Sequence, residues 1–245
     1  VEGYNLLMII YDGKSQIDGN PIVAIVTGID TKSNNSKTGH MPQIWILNKT
    51  VHPIEALRTG QDVSVCGNCP HRPQKLGNLA LKKDSRSCYV NTMSFNAIFR
   101  SYLKGNYDTV DLESASEILK DMHVRLGAYG DPAAVPIEVW DGLLSKCVST
   151  GYTHQWRTCD PRYAEYCMAS CDSDTDVEDA VKKGYRVFFV QNHKTIDDAL
   201  KTVGDTKLAW CPASKEKGKV TTCSKCMACS GTRSKLHSNI TILKH

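Results

Sequence analysis

From His123 to Trp210 the sequence repeats one order, an apolar β-rich run followed by a helical pattern. That order restricts the chain to a parallel sheet with helices packed on it. The spacing predicts strands over 123–129, 152–157, 166–169, 185–190 and 207–210. Helices are predicted over 136–147 with Pro136 in the first turn, over 174–183 closed by Gly184, and over 195–203 capped by Thr195. Upstream, Phe95, Ile98, Phe99, Tyr102 and Leu103 recur at helical spacing, as do Leu112, Ala115, Leu119 and Met122 behind Asp111 as N-cap. Residues 21–27 and 43–47 read as strands around a polar stretch, 30–39, whose Lys, Ser and Asn content fits an exposed loop. Met8 opens the first strand, and 1–7 read as an upstream extension. The expected architecture is α/β, a partial (β/α) barrel-like parallel sheet over 61–210. A small N-terminal β-subdomain occupies 8–60 and a cysteine-rich metal-binding segment occupies 211–245.

The eleven cysteines narrow the chemistry. Residues 1–10 lack the basic and apolar regions of a secretory signal, which predicts a cytoplasmic, reducing setting, and an odd count leaves a thiol over in any disulfide scheme. No apolar run approaches the ~20 residues of a membrane span. A net charge of +4 is too mild to mark a nucleic-acid binder by itself. Metal ligation is then the expected use of clustered thiols. The sharper group is Cys211, Cys223, Cys226 and Cys229, spaced C-x11-C-x2-C-x2-C. Successive C-x2-C steps aim thiolates at one centre, and four thiolates suit a 4Fe–4S cluster or a tetrahedral zinc. The other group is Cys66, Cys69 and Cys88, spaced C-x2-C-x18-C. Three thiols leave one iron of a cluster open; alternatively His71 or a distant residue completes a zinc site. Pro70, His71 and Arg72 would shape the loop and neutralise an anionic centre. Cys147 and Cys167 read as buried small hydrophobes.

Ligands of parallel α/β folds bind beyond the carboxyl ends of the strands. Gly130 and Asp131 follow the first predicted strand, His154 and Arg157 lie at the end of the second, and Asp172 follows the third. These five are the candidate substrate- or cofactor-binding residues. Cys211 directly follows the last strand, so one functional mouth carrying both polar and thiol groups is expected.

The segments 17–23 (IDGNPIV), 66–72 (CGNCPHR), 125–133 (RLGAYGDPA), 151–157 (GYTHQWR) and 168–172 (MASCD) resemble a family of uncharacterised bacteriophage proteins, which implies a viral source. More distantly, the order of three cysteines, a β/α series and four further cysteines is similar to radical S-adenosylmethionine enzymes. That superfamily's usual motif is C-x3-C-x2-C, whereas the third cysteine here stands 18 residues on. The likeness implies a reducible cluster on Cys66, Cys69 and Cys88, S-adenosylmethionine near Gly130 and Asp131, and an auxiliary cluster on the four C-terminal cysteines.

Two functions follow as expectations. The first is a 4Fe–4S-dependent enzyme, radical S-adenosylmethionine-like, acting on a nucleotide or nucleic-acid-related substrate. The second is a module pinned by zinc or iron–sulfur that binds nucleic acid or a host factor without catalysis. Its support is the basic run Lys215, Lys217, Lys219, Lys225, Arg233 and Lys235.

Overall fold

The computed structural model describes residues 7–30, 37–73, 85–233 and 238–244. Its elements run in the order β1 (Met8–Lys14), β2 (Pro21–Thr27), β3 (Gln43–Asn48), α1 (Pro53–Thr59), α2 (Val63–Cys66), α3 (Thr92–Leu103), β4 (Asp108–Thr109), α4 (Leu112–Ile118) and β5 (His123–Tyr129). They continue with α5 (Ile137–Leu143), β6 (Val148–Thr150), β7 (Tyr152–Thr153), β8 (Met168–Cys171), α6 (Asp174–Lys182), β9 (Val187–Gln191), β10 (Thr202–Val203), β11 (Thr206–Trp210), α7 (Cys223–Cys226) and β12 (Asn239–Leu243).

The strands form two six-stranded sheets, ordered β4-β1-β2-β3-β5-β6 and β10-β11-β12-β9-β8-β7. From β3 to β6 and from β7 to β11 every neighbouring pair is parallel. The α/β class is therefore present, but the expected barrel is not closed. Among the described residues β4 and β10 stand at opposite ends of the strand order without pairing to each other. The two sheets meet in one stretch of chain. β6 pairs with β5, β7 pairs with β8, and only Gly151 separates them.

The strands of 8–60 are the antiparallel edge of the first sheet, because β3 hydrogen-bonds to β5. Five successive residues of β2, Ile22 to Val26, are buried, as expected of a central strand covered on both faces. One apolar core joins these strands to α3, α4 and α5, around a fully buried Trp140 whose Nε1 donates to Pro132 O at 3.0 Å. Asp111 caps α4, accepting from Ser114 N at 2.9 Å.

Three expectations need correction. The predicted strand 152–157 ends at Thr153, where Gln155 turns back and donates its N–H to Thr153 Oγ1 at 2.9 Å. The predicted helix 195–203 is a set of turns. The Gln191 amide captures Leu200 N and Leu200 O at 2.8 and 2.9 Å, and β10 then pairs with β11 as a hairpin. The strand β12, absent from the sequence reading, inserts between β9 and β11. Of the polar loop 30–39, residues 31–36 lie outside the described residues, as does Lys235 of the basic run.

Candidate functional site

The first cysteine group sits where α2 ends. Cys66 closes that helix, and Gly67 turns the chain at φ 54°, ψ −129°. A Cβ on Gly67 would meet the Gln155 side chain at 2.4 Å, so the glycine serves both the turn and the close approach. Gln155 Oε1 accepts from Asn68 N at 3.2 Å, and Gln155 Nε2 donates to Cys66 O at 3.3 Å, binding the loop to the end of β7. Arg72 clamps the loop from below. It forms a two-pronged pair with buried Asp62 at 2.7 and 2.8 Å and donates to the carbonyls of Gly67 and Gly60 at 2.8 Å each. Cys88, distant in sequence, joins the group because its N–H donates to His71 O at 3.1 Å. Burial pushes the Cys66 thiol well up, and the neighbouring Asp62, Cys69 and Cys88 add to the shift against Arg72. The three cysteines are thus near enough for their charges to be felt at Cys66. The Tyr129 hydroxyl, buried beside Cys66 and Cys88, has no hydrogen-bond partner among the described residues.

Around this group stand the residues expected at the strand ends. Asp131, just past β5, donates its N–H to Val65 O at 2.6 Å, and its carboxylate accepts from Ala133 N at 3.0 Å and His154 N at 2.8 Å. Burial raises the pKa of Asp131, opposed by these bonds and one from Thr153. His154 Nε2 lies 3.3 Å from Asp172 Oδ2, and His71 Nε2 lies 2.9 Å from Asp172 Oδ1. Burial opposes charge on His154, but Asp172 and Cys69 outweigh it and its pKa is pushed up to about 10. Burial likewise opposes ionisation of Asp172, yet the two imidazoles hold its carboxyl far below the usual range. Asp172 is free to face them because Ser173, not Asp172, caps α6. Ser173 and Asp176 exchange a capping box, and Asp176 also holds the Asp172 N–H at 2.9 Å.

Thus Cys66, Cys69, Cys88, Asp131, His154 and Asp172 collect at one rim, while Gly130 packs closely on Ile46 of β3, where a Cβ would meet Ile46 at 2.7 Å. His71, read from sequence as a loop-shaping residue or the fourth ligand of a zinc site, joins them through Asp172. Arg157 does not. Its guanidinium lies 3.9 Å from the centre of the Trp156 ring and pairs with Asp176 at 2.6 Å and Asp179 at 3.7 Å. Trp156 is a packing residue, buried with its Nε1 donating to Ser170 O at 3.1 Å.

The second cysteine group lies elsewhere, over the seam between the sheets. Cys211, Cys223, Cys226 and Cys229 line one pocket with Arg125 and Tyr152. Cys229 O accepts from Gly151 N at 3.2 Å, which fixes the segment on the seam. Cys223 N and Ser224 N donate to Lys37 O and Thr38 O at 2.8 and 2.9 Å, so the end of the polar loop docks here too, and His123 Nδ1 bonds Ser224 O. Burial pushes Cys229 up to about 12, with Tyr152 opposing and the other three thiols reinforcing the shift; Cys211 and Cys223 rise for the same first cause. The single mouth expected from the sequence is therefore two seats. They are linked by Arg125, which donates to the hydroxyl of Tyr89, next to Cys88, at 2.9 Å while lining the second pocket.

Four cysteines stand apart. Cys167 and Cys171 are buried, Cys147 approaches Leu143 O at 3.7 Å and Cys159 lies 3.4 Å from the Tyr185 hydroxyl. Burial pushes both Cys147 and Cys159 up to about 11 from 9.0. The thiolate is the reactive form, so a rise of that size lowers it roughly 100-fold at pH 8. Iodoacetamide labelling followed by mass spectrometry is expected to modify Cys147 and Cys159 about 100-fold more slowly than a free thiol, with rates that climb with pH until about 11.

Among the described residues no helix is long and apolar enough to cross a membrane. Comparison with protein-family models, with curated proteins and with solved structures finds no match to this chain.

Proposed function

We propose that the chain is an iron–sulfur enzyme with two thiolate centres. One is an open centre on Cys66, Cys69 and Cys88 at the strand-end rim. The other is a closed centre on Cys211, Cys223, Cys226 and Cys229 over the seam. The observation that carries the reading is that two sets of cysteines, remote in sequence, are each gathered at opposite ends of β7. Gly151 holds the second set and His154 faces the first, a separation of about 10 Å along the strand at ~3.3 Å per residue. Three protein thiols with polar groups before them suit a centre that meets a substrate, and four in an apolar pocket suit one that relays electrons.

The donor sets fit such groups. The Tyr129 hydroxyl, buried without a hydrogen-bond partner among the described residues and within electrostatic reach of Cys66 and Cys88, is a donor that a nearby sulfide would satisfy. Arg72 and Arg125 bring positive charge to the first and second sets, as an anionic centre requires. The C-x2-C-x2-C run of the second set supports a polynuclear centre over zinc, whose sites more often present two separate pairs. When bound, the clusters supply one-electron transfer. The chain's own residues orient substrate at the rim, where Asp131 fixes the backbone of His154 and Asp172 fixes its ring. The likeness to radical S-adenosylmethionine enzymes supports the same division into a reducible and an auxiliary centre.

Protein purified without air is expected to be brown, to absorb near ~400 nm and to carry iron and acid-labile sulfide in equal amounts. Cys226→Ala is expected to remove the share held by the second centre and Cys69→Ser the share held by the first. A colourless protein with stoichiometric zinc, or iron content indifferent to both substitutions, overturns the reading. With clusters loaded, heat on titration with S-adenosylmethionine supports the radical type, and its absence removes that type.

A further inference from the structure

We propose that His71, His154 and Asp172 form a mononuclear site for a divalent first-row transition ion, at the rim beside the first thiol group and apart from the four-cysteine pocket. The inference does not depend on the iron–sulfur reading. The three residues come from three separate segments, after Cys69, after β7 and after β8, and their ligand atoms all lie within 4.8 Å of one another. Two imidazoles and one carboxylate converging on a point, with the remaining directions free, is the donor set of open sites for iron(II) and related ions. The side chains are 22%, 18% and 28% exposed, so water or a substrate oxygen can reach the open positions.

Each ligand residue is also placed by a bond that does not involve the metal, through the ring in His71 and through the backbone in the other two. His71 Nδ1 lies 2.8 Å from Ser87 Oγ, which turns Nε2 toward Asp172. The backbone of His154 is held by Asp131 at 2.8 Å. The backbone of Asp172 is held by Asp176 at 2.9 Å. The His71–Ser87 bond is the kind of outer bond a metal-binding histidine carries, because a ring free to rotate binds weakly, whereas the other two fix where each side chain leaves the backbone. The two imidazoles approach different oxygens of the one carboxylate and meet edge to face, with centroids 5.6 Å apart. Both Nε2 atoms therefore point into the same space instead of stacking past each other. Imidazole and carboxylate donors favour harder ions than the thiol groups do, so the two kinds of site would select different metals from the same solution.

Manganese(II) separates them, because it favours nitrogen and oxygen donors over thiolate. The full chain, purified without air so that the thiol groups keep their native state, is titrated with manganese(II) while the free ion is read by electron paramagnetic resonance. The expected result is one ion bound per chain, with affinity at least tenfold weaker in Asp172→Asn and in His71→Asn, and unchanged in Cys226→Ser. Circular dichroism of both rim variants reports whether they fold, and His71→Asn, on a partly exposed loop, is the safer of the two. No binding by the unaltered chain, or binding that survives both rim substitutions in folded protein, overturns the site. Loss of binding in Cys226→Ser, with both rim variants intact, assigns the ion to the thiols and overturns it equally. Manganese(II) binding without iron or sulfide leaves this site standing while the iron–sulfur reading fails, and the converse result does the opposite.

Discussion

Arg186→Ala is expected to release the whole four-cysteine segment. Arg186 opens the run into β9 and is 6% exposed. Its guanidinium donates to Ser230 O and Ala228 O at 2.7 Å, to Gly231 O at 3.3 Å and to Ser238 O. Four carbonyls, three within 228–231 and one at Ser238, thus depend on one side chain. They lie outside any strand, and buried carbonyls without donors are costly. Truncation leaves them unsatisfied together, at a cost of about 4 kcal/mol, which for a chain of this size lowers the Tm by roughly 10 °C. Two readouts distinguish this from general damage. On the proposed two-centre reading, the iron assigned to Cys211, Cys223, Cys226 and Cys229 should be lost while the iron assigned to the rim remains. Backbone amides of β12, which enters the sheet only after this segment, should lose hydrogen-exchange protection before those of β2 do. Arg186→Lys, with one ammonium for four carbonyls, should fall between. A variant that keeps both its midpoint and its full metal content would show that the segment is held by the seam alone.

The same residue shows why part of the fold was legible in sequence and part was not. The parallel order from β5 to β11 follows from local patterns, an apolar run, a cap and a glycine stop, and each of these is decided within about ten residues. Asp111 and Gly184 announce their roles because capping is a local competition for backbone N–H and C=O groups. The insertion of β12 between β9 and β11 has no local signal. Five residues suffice to form it, and its place depends on a buried Arg186 more than forty residues away. The turns at 195–203 were missed for a related reason. The sequence is helix-compatible, but the Gln191 amide replaces the helical bonds of Leu200 from outside the segment.

The candidate site divides in the same way. The spacing of Cys66 and Cys69, and of Cys223, Cys226 and Cys229, reports local loop geometry and could be read directly. That Asp131, His154 and Asp172 share a rim follows from strand ends in a parallel sheet. That His71 meets Asp172 across 101 positions does not, nor does the diversion of Arg157 onto Asp176 and Asp179. The separation of the two thiol groups was hidden because Cys211 does follow a strand end. What moves its group to the seam is the bond between Gly151 and Cys229.

Asp131→Ala is expected to be the second large effect, and it acts on the rim instead of the seam. The carboxylate is buried and accepts from the backbone of Ala133 and His154. One side chain therefore shapes the turn after β5 and sets the height at which His154 leaves β7. Alanine leaves two buried N–H groups unsatisfied, and charge-assisted bonds of this kind contribute about 1.5–3 kcal/mol each, not additively, so a loss of roughly 3 kcal/mol is expected. Because the Asp131 N–H still bonds Val65 O, the helix that presents Cys66 stays attached. The defect should fall on His154. Manganese(II) affinity at the proposed rim site is expected to drop at least tenfold, while the iron assigned to the four-cysteine group on the proposed reading is kept. Asp131→Asn keeps the shape and one accepting oxygen but turns an N–H₂ toward one of the two donors, so it should cost less than alanine without restoring the rim. Denaturant midpoints and manganese titration of the two variants side by side decide the matter. Rim binding that survives alanine would mean His154 is held in place by Asp172 and Cys69 alone, and that Asp131 does no more than cap its turn.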